Sequence, residues 1–248
     1  QQLSKIFRRV YAKVAWEQLI PSLLKKEIQD LESNEVDGEC ISKLVLRVFY
    51  RAVFSDEIST EQEQLYYDAS IEWRKEVAMK QTGDLQIKEK FLSDITDTIG
   101  SSLLFSETSG FKQGIDMLSV IAQPFILSPQ INFSDIFAAL FLQIRDSPLQ
   151  QKTLIKAAKS DDYRCLTYFV LETMRIYHPF PVLERELTDD ITYKDKVLEQ
   201  GTQVFVLLDE FCHERDFSVL RWQHKDYFNK YSMLLFGSGK RVCPGKNI

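Results

Sequence analysis

The sequence predicts a mainly α-helical protein with small β-sheets. Apolar residues recur at helical spacing through most of residues 1–176. Residues 183–210 then alternate and gather β-branched and aromatic side chains, the pattern of short strands. A glycine-rich loop with one cysteine, residues 236–245, lies at the end. The length of 248 residues suits one domain with a sizeable core, and 1–248 is read as a single, incomplete domain.

Residues 3–33 read as one or two amphipathic helices broken at Pro21, because an interior proline removes a helix hydrogen bond. Ser33-Asn34-Glu35-Val36-Asp37-Gly38 is a turn cluster. Residues 39–54 follow as a helix with Ile41, Leu44, Leu46, Val48 and Phe49 as its apolar positions. Ser59-Thr60-Glu61-Gln62-Glu63 marks the next helix start, with acids in the first turn, and Thr82-Gly83-Asp84 ends that helix. Another helix is expected over 86–106. Residues 116–122 and 133–142 are helical in period, with Pro124 and Pro129 between them as expected bends. Glu172 and Arg175, three apart, share one helix face, and Pro179 bounds that helix before the strands begin.

Composition narrows the function. A net charge of −5 is not a nucleic-acid footprint. The four cysteines, Cys40, Cys165, Cys212 and Cys243, are widely spaced without a CxxC, which argues against a zinc site or disulfide framework and suits a reducing compartment. His178, His213 and His224 are not at ligand spacing. No run of about 18 apolar residues is present, so no membrane span is expected within this chain. The first residue is Gln, so a signal or membrane anchor upstream stays open.

The loop Phe236-Gly237-Ser238-Gly239-Lys240-Arg241-Val242-Cys243-Pro244-Gly245 carries the chemistry. Its glycines permit tight turns and close approach of backbone to a flat ligand. Arg241, two residues before Cys243, favours a thiolate there, as do backbone N–H groups aimed at the sulfur. Every specified position meets FxxGxRxCxG, so the loop resembles the cysteine-ligand loop of the cytochrome P-450 (heme-thiolate) superfamily. Glu172 and Arg175 resemble that superfamily's ExxR helix. Phe217-Ser218-Val219-Leu220-Arg221-Trp222 resembles its FxPxRW segment, with Val219 where proline is usual. The likeness is convincing from about residue 112 to 248, and both ends of the usual domain look cut.

The resemblance implies a P-450-like heme-thiolate fold binding heme b, with Cys243 as the iron ligand. Arg241, Arg185 and Arg9 would serve the heme propionates. Phe236 would pack near the sulfur, and Gly239 and Gly245 would shape the loop. Glu172, Arg175 and Arg221 would form a cluster that holds the proximal side. The superfamily's acid-threonine pair has no counterpart in Ser128-Pro129-Gln130-Ile131-Asn132, and Ser134 and Asp135 are the nearest substitutes. Gln123-Pro124 stands where bacterial fatty-acid peroxygenases carry the Arg-Pro that binds a substrate carboxylate, which makes both residues catalytic candidates. Glutamine donates neutral hydrogen bonds only, so anchoring of a free acid should be weaker.

These features together lead to an iron-binding heme oxidoreductase of monooxygenase or peroxygenase type. The expected reaction is peroxide-dependent hydroxylation of a fatty acid or similar small lipophilic substrate. Two alternatives stand beside it. One is a catalytically degenerate subunit with a structural role in a larger protein assembly. The other is an isomerase or dehydratase of a fatty-acid hydroperoxide.

Overall fold

The computed structural model describes residues 16–31, 36–77, 81–101, 126–208, 216–237, 242–243 and 245–246. The chain divides into two compact units, Gln1–Ala138 with Gly239–Ile248, and Ala139–Ser238. As the sequence predicts, the elements are mainly helices with two small sheets. Among the described residues no helix is long and apolar enough to cross a membrane.

In the first unit, α1 (Trp16–Leu31), α2 (Gly38–Phe54), α3 (Thr60–Val77) and α4 (Leu85–Ser101) precede α5 (Ser128–Arg145). Pro21 lies inside α1 instead of breaking it. The helix persists because Trp16 and Leu23 are buried in the core, with Leu19, Ile20 and Leu24 packed against it. Burial at about 1.5–3 kcal/mol per large apolar side chain outweighs one lost hydrogen bond.

Asp37 caps α2 by accepting from the Cys40 N–H at 2.8 Å, and Ser55, left-handed at φ 58°, ends it. Leu46, Val48, Phe49, Tyr50 and Val53 enter the core from this helix. Phe49 lies between Trp16 and Phe133, with ring centroids 5.6 and 5.3 Å away. Arg47 links three helices by pairing with Glu27 at 2.6 Å and Glu63 at 2.5 Å.

At the start of α3 the hydroxyl of Ser59 accepts from the Gln62 N–H at 3.2 Å, and the Gln62 side chain accepts from the Ser59 N–H at 3.4 Å. This reciprocal pair is a capping box. Tyr66, fully buried, donates its hydroxyl to Asp94 on α4 at 2.7 Å. The turn between α3 and α4 needs a glycine. A Cβ on Gly83 would stand 2.9 Å from the Glu72 carbonyl oxygen. The Glu72 carboxylate accepts from the Asp84 N–H at 2.7 Å and pairs with Lys75 at 2.6 Å.

Pro129 is the second residue of α5 and directly follows two π-helical residues, 126 and 127, a local departure from α geometry. Pro124 lies outside the described residues.

The second unit contains α6 (Pro148–Lys159), α7 (Tyr163–Ile176), β1 (Val182–Glu186), β2 (Ile191–Tyr193), β3 (Lys196–Leu198), β4 (Gln203–Leu207), a 3-10 helix (Val219–Gln223) and α8 (Lys225–Phe236). Its core packs Leu140 and Ile144 of α5 against Phe169 of α7, flanked by Leu154, Cys165, Phe217 and Val219. β1 and β4 are antiparallel, from Val182 opposite Leu207 to Glu186 opposite Gln203. β2 and β3 form a hairpin inserted between them. Lys194 and Asp195 turn that hairpin with φ of 47° and 63°, a primed turn built without glycine.

Candidate heme-ligand site

Of the cysteine loop, Phe236, Gly237, Val242, Cys243 and Gly245 are described, while Gly239 and Arg241 lie outside the described residues. Gly237 ends α8 with φ 72° and ψ −177°, a conformation that favours glycine. Phe236 is the half-buried last residue of α8. Cys243 has a free, exposed side chain. Its carbonyl accepts from the Lys246 N–H at 3.3 Å, which closes a turn around Gly245.

The Cys243 thiol differs from the sequence expectation of a pre-formed thiolate. Protein mass around it raises its pKa above the usual thiol value, and the Gly245 backbone hydrogen bond only partly offsets this. Desolvation and surface exposure point in different directions here. The geometry reconciles them, since a residue can keep open surface while its sulfur loses much of its water. The donor set is a single thiolate. Among the described residues no group of three or more His, Cys, Asp or Glu is placed to hold a metal ion. One sulfur ligand on a glycine turn fits an iron whose remaining ligands belong to a macrocycle, and it does not fit a protein-caged zinc.

Within the second unit, α7 and the 216–222 segment build a buried charge cluster. Asp162 caps α7 by accepting from the Cys165 N–H at 3.0 Å, and this start sets the register that puts Glu172 and Arg175 on the inner face. Glu172 is 0% exposed and Arg175 is 1% exposed. Arg175 donates through Nε and a terminal nitrogen to the two Glu172 oxygens, both at 2.9 Å. The Ser218 N–H donates to Glu172 Oε1 at 2.9 Å, and the Trp222 Nε1–H donates to Oε2 at 2.8 Å. Arg221 Nε stands 3.2 Å from Glu172 Oε1, a charge contact. Arg175 and Arg221 both donate to the Asp216 carbonyl, at 3.0 and 3.1 Å. Burial works to lower the Arg175 pKa, yet the Glu172 hydrogen bond and charge outweigh it and the net shift is upward.

The structure therefore brings Glu172, Arg175 and Arg221 together as the sequence reading expects. It adds Trp222, Ser218 and Asp216. The Trp222 indole was visible only as a neighbour of Arg221 in the quoted segment. The other two act through backbone groups, which side-chain patterns do not report.

Arg185 sits exposed on β1, where its guanidinium donates to the Glu184 carbonyl at 2.7 Å. Arg9, Gln123 and Pro124 lie outside the described residues. Ser134 donates to the Gln130 carbonyl within α5, and Asp135 pairs with Arg74 of α3. Both of the nearest substitutes for a distal acid-alcohol pair are thus engaged in structural contacts.

Residues 145–248 match the family model "Cytochrome P450". The chain is similar to "Cytochrome P450 71A18" of Arabidopsis thaliana, 29% identical over 154 residues, which is 56% of this chain and 30% of that protein. It is similar to "Abietadienol/abietadienal oxidase" of Pinus taeda, 31% identical over 114 residues, or 42% of this chain and 24% of that protein. The chain thus spans under a third of the length of these curated relatives. Its fold resembles Mycobacterium smegmatis CYP164A2 in the ligand-free state, with a TM-score of 0.75 at 18% identity, over 98% of this chain and 67% of that one. The matched segment holds the ExxR pair, the Arg221-Trp222 segment and the Cys243 loop, and the fold matches over nearly the whole chain. The chain is thus similar to cytochrome P450s in sequence over residues 145–248 and in fold over nearly its whole length.

Proposed function

We propose that the chain is part of a heme-thiolate oxidoreductase that acts on a lipophilic substrate and carries heme b. The observation that carries this reading is Cys243, a free and exposed thiol on a glycine turn inside the family-matched segment. Cys243 would hold the iron, and Arg241 and Arg9 would neutralise the propionates. When bound, the heme supplies the redox chemistry, and a thiolate ligand donates electron density that favours O–O cleavage. The Glu172 cluster does no chemistry, and its work is to fix α7 against residues 216–222.

The test is the carbon monoxide difference spectrum of the reduced protein, which should show the red-shifted band of thiolate ligation. Cys243→Ala should abolish the band while leaving far-UV circular dichroism unchanged, since the side chain is exposed. A folded protein that takes up no heme, or a band that survives Cys243→Ala, would overturn the assignment.

Peroxide as oxidant is the finer reading. Ser134 and Asp135 are committed to Gln130 and Arg74, which leaves neither to deliver protons to dioxygen. A substrate carboxylate held near Gln123 would supply the acid-base group instead. Gln123→Arg would add a planar, permanently charged fork suited to a carboxylate. It should tighten fatty-acid binding and speed peroxide-driven hydroxylation. The same commitment of Ser134 and Asp135 also favours a hydroperoxide isomerase or dehydratase, whose substrate brings its own O–O bond. Anaerobic conversion of a fatty-acid hydroperoxide, with no hydroxylation by hydrogen peroxide, would select that second reading.

A further inference from the structure

We propose that the outer edge of β4 pairs antiparallel with β4 of a second copy of this chain, joining two two-stranded sheets into one. The ladder fixes which backbone groups are committed. The Leu208 N–H donates to the Pro181 carbonyl at 2.7 Å, and the Leu187 N–H donates to the Thr202 carbonyl at 3.0 Å. Residues opposite each other in an antiparallel pair alternate between hydrogen-bonded and non-hydrogen-bonded. In this register Val204 and Val206 bond to Arg185 and Leu183. The N–H and C=O groups of Gln203, Phe205 and Leu207 therefore point away from β1. The sheet has two strands, so among the described residues no third strand meets them.

The other edge of the sheet is shielded. β1 carries Glu184, Arg185 and Glu186 within five residues. By the same alternation the Glu184 carbonyl points outward, and the Arg185 guanidinium donates to it at 2.7 Å. Charged side chains are how natural sheets protect an open edge. β4, Gln203-Val204-Phe205-Val206-Leu207, has no charge, proline or glycine. Phe205 is 58% exposed and Leu207 45%, with Val182 opposite Leu207 on the same face and 46% exposed. Strand propensity accounts for the valines and the aromatic ring. It does not account for an edge without a single charge beside one that has three.

The strand is complementary to itself. A two-fold axis at Phe205 sets it opposite the partner's Phe205 and sets Gln203 opposite the partner's Leu207. All three outward positions then fall in hydrogen-bonded pairs, which makes about six N–H···O bonds. The two phenyl rings add a cross-strand aromatic contact. No like charges meet within the strand, whereas a charged partner would find nothing on β4 to pair with. After pairing, both outer edges are β1, where the charges and the Arg185 contact stand. The assembly closes at two copies instead of growing into a fibre. Five residues of strand span about 17 Å, so the dimer is weak and concentration-dependent.

The test is sedimentation equilibrium of the full chain from about 1 μM to about 1 mM, the range of weak association, with amide hydrogen exchange alongside. Wild type should pass from monomer to dimer, and the Phe205 and Leu207 amides should exchange more slowly as the dimer forms. Phe205→Lys sets two cations face to face across the axis and should weaken the dimer about tenfold or more. Val182→Lys adds the same charge to the same face, but on β1, and should change the dimer constant by less than about twofold. Both positions are exposed, so circular dichroism should report both variants folded. Added salt should strengthen the dimer, because two copies of net charge −5 repel each other. A chain that stays monomeric throughout would overturn the proposal. So would equal losses in the two variants, or protection that develops at Glu184 and not at Phe205. A monomer whose Phe205 amide is protected from the start would mean that another part of this chain covers the edge, and would overturn it as well.

Discussion

Replacing Glu172 with alanine should strongly destabilise the second unit. The side chain has no solvent exposure and accepts from Arg175 twice, from the Ser218 N–H and from the Trp222 indole. Truncation leaves the Arg175 guanidinium buried without its counter-charge. Breaking a buried pair on one side costs about 3–5 kcal/mol. Each stranded N–H would add roughly 1–3 kcal/mol if the site stayed closed to water, although such costs do not sum among neighbours. Against a total stability of about 5–15 kcal/mol, a loss of about 4 kcal/mol removes a large share. Glu172→Leu/Arg175→Met should recover part of it, because no charge is then stranded. The indole and the Ser218 N–H remain unsatisfied, so recovery stays incomplete. Urea unfolding followed by circular dichroism at one wavelength and by tryptophan emission gives both values. A loss below about 1 kcal/mol for Glu172→Ala, the range of exposed pairs, would refute the reasoning. So would a double variant no more stable than the single one.

Burial, chiefly, pushes the Tyr227 phenol up to about 12. The folded chain then keeps a proton that the unfolded chain releases from about pH 10. Stability from this group is therefore complete below pH 10 and falls as pH rises toward about 12. Burial also raises the pKa of Tyr50, Tyr66 and Tyr67, so phenolate absorbance should show a late group of tyrosines, and Tyr227→Phe should reduce its amplitude by one residue. If all tyrosines ionise together, the packing around Tyr227 is looser than described. Gly83→Ala forces a Cβ to within 2.9 Å of the Glu72 carbonyl and should cost about 1–3 kcal/mol through a shifted α3–α4 turn. An unchanged thermal midpoint would remove the steric reason for that glycine.

Much of the fold was legible because single segments carry strong local signals. The capping box at Ser59 and Gln62, the cap at Asp37 and the strands around Val182–Leu207 follow from residue type and spacing. Pro21 misled because a local helix breaker competes with burial of Trp16 and Leu23, which no local window reveals. α8 went unnoticed because its face is aromatic: Tyr227 stacks on Tyr231 at 4.1 Å and both meet Trp222, a pattern that reads equally as strand or loop. The charge cluster was legible as three side chains in the right order. Its backbone members, the Ser218 N–H and the Asp216 carbonyl, have no sequence signature at all.

The Glu172 cluster joins residues 46 and 50 positions apart, and the β1–β4 ladder lies within the span it closes. The β2–β3 hairpin protrudes from that closed segment, with exposed Lys194 at its tip. A protease cut after Lys194 would therefore sever the covalent chain without opening the clasp. The halves should stay associated through the ladder and the ion cluster, migrating as one species in native gels and as two fragments in denaturing ones. Insertions at the same tip, such as a short epitope or a labelling peptide, should be tolerated for the same reason. Glu172→Ala should turn the nick from harmless to fatal, because the ladder alone would then have to hold the pieces together.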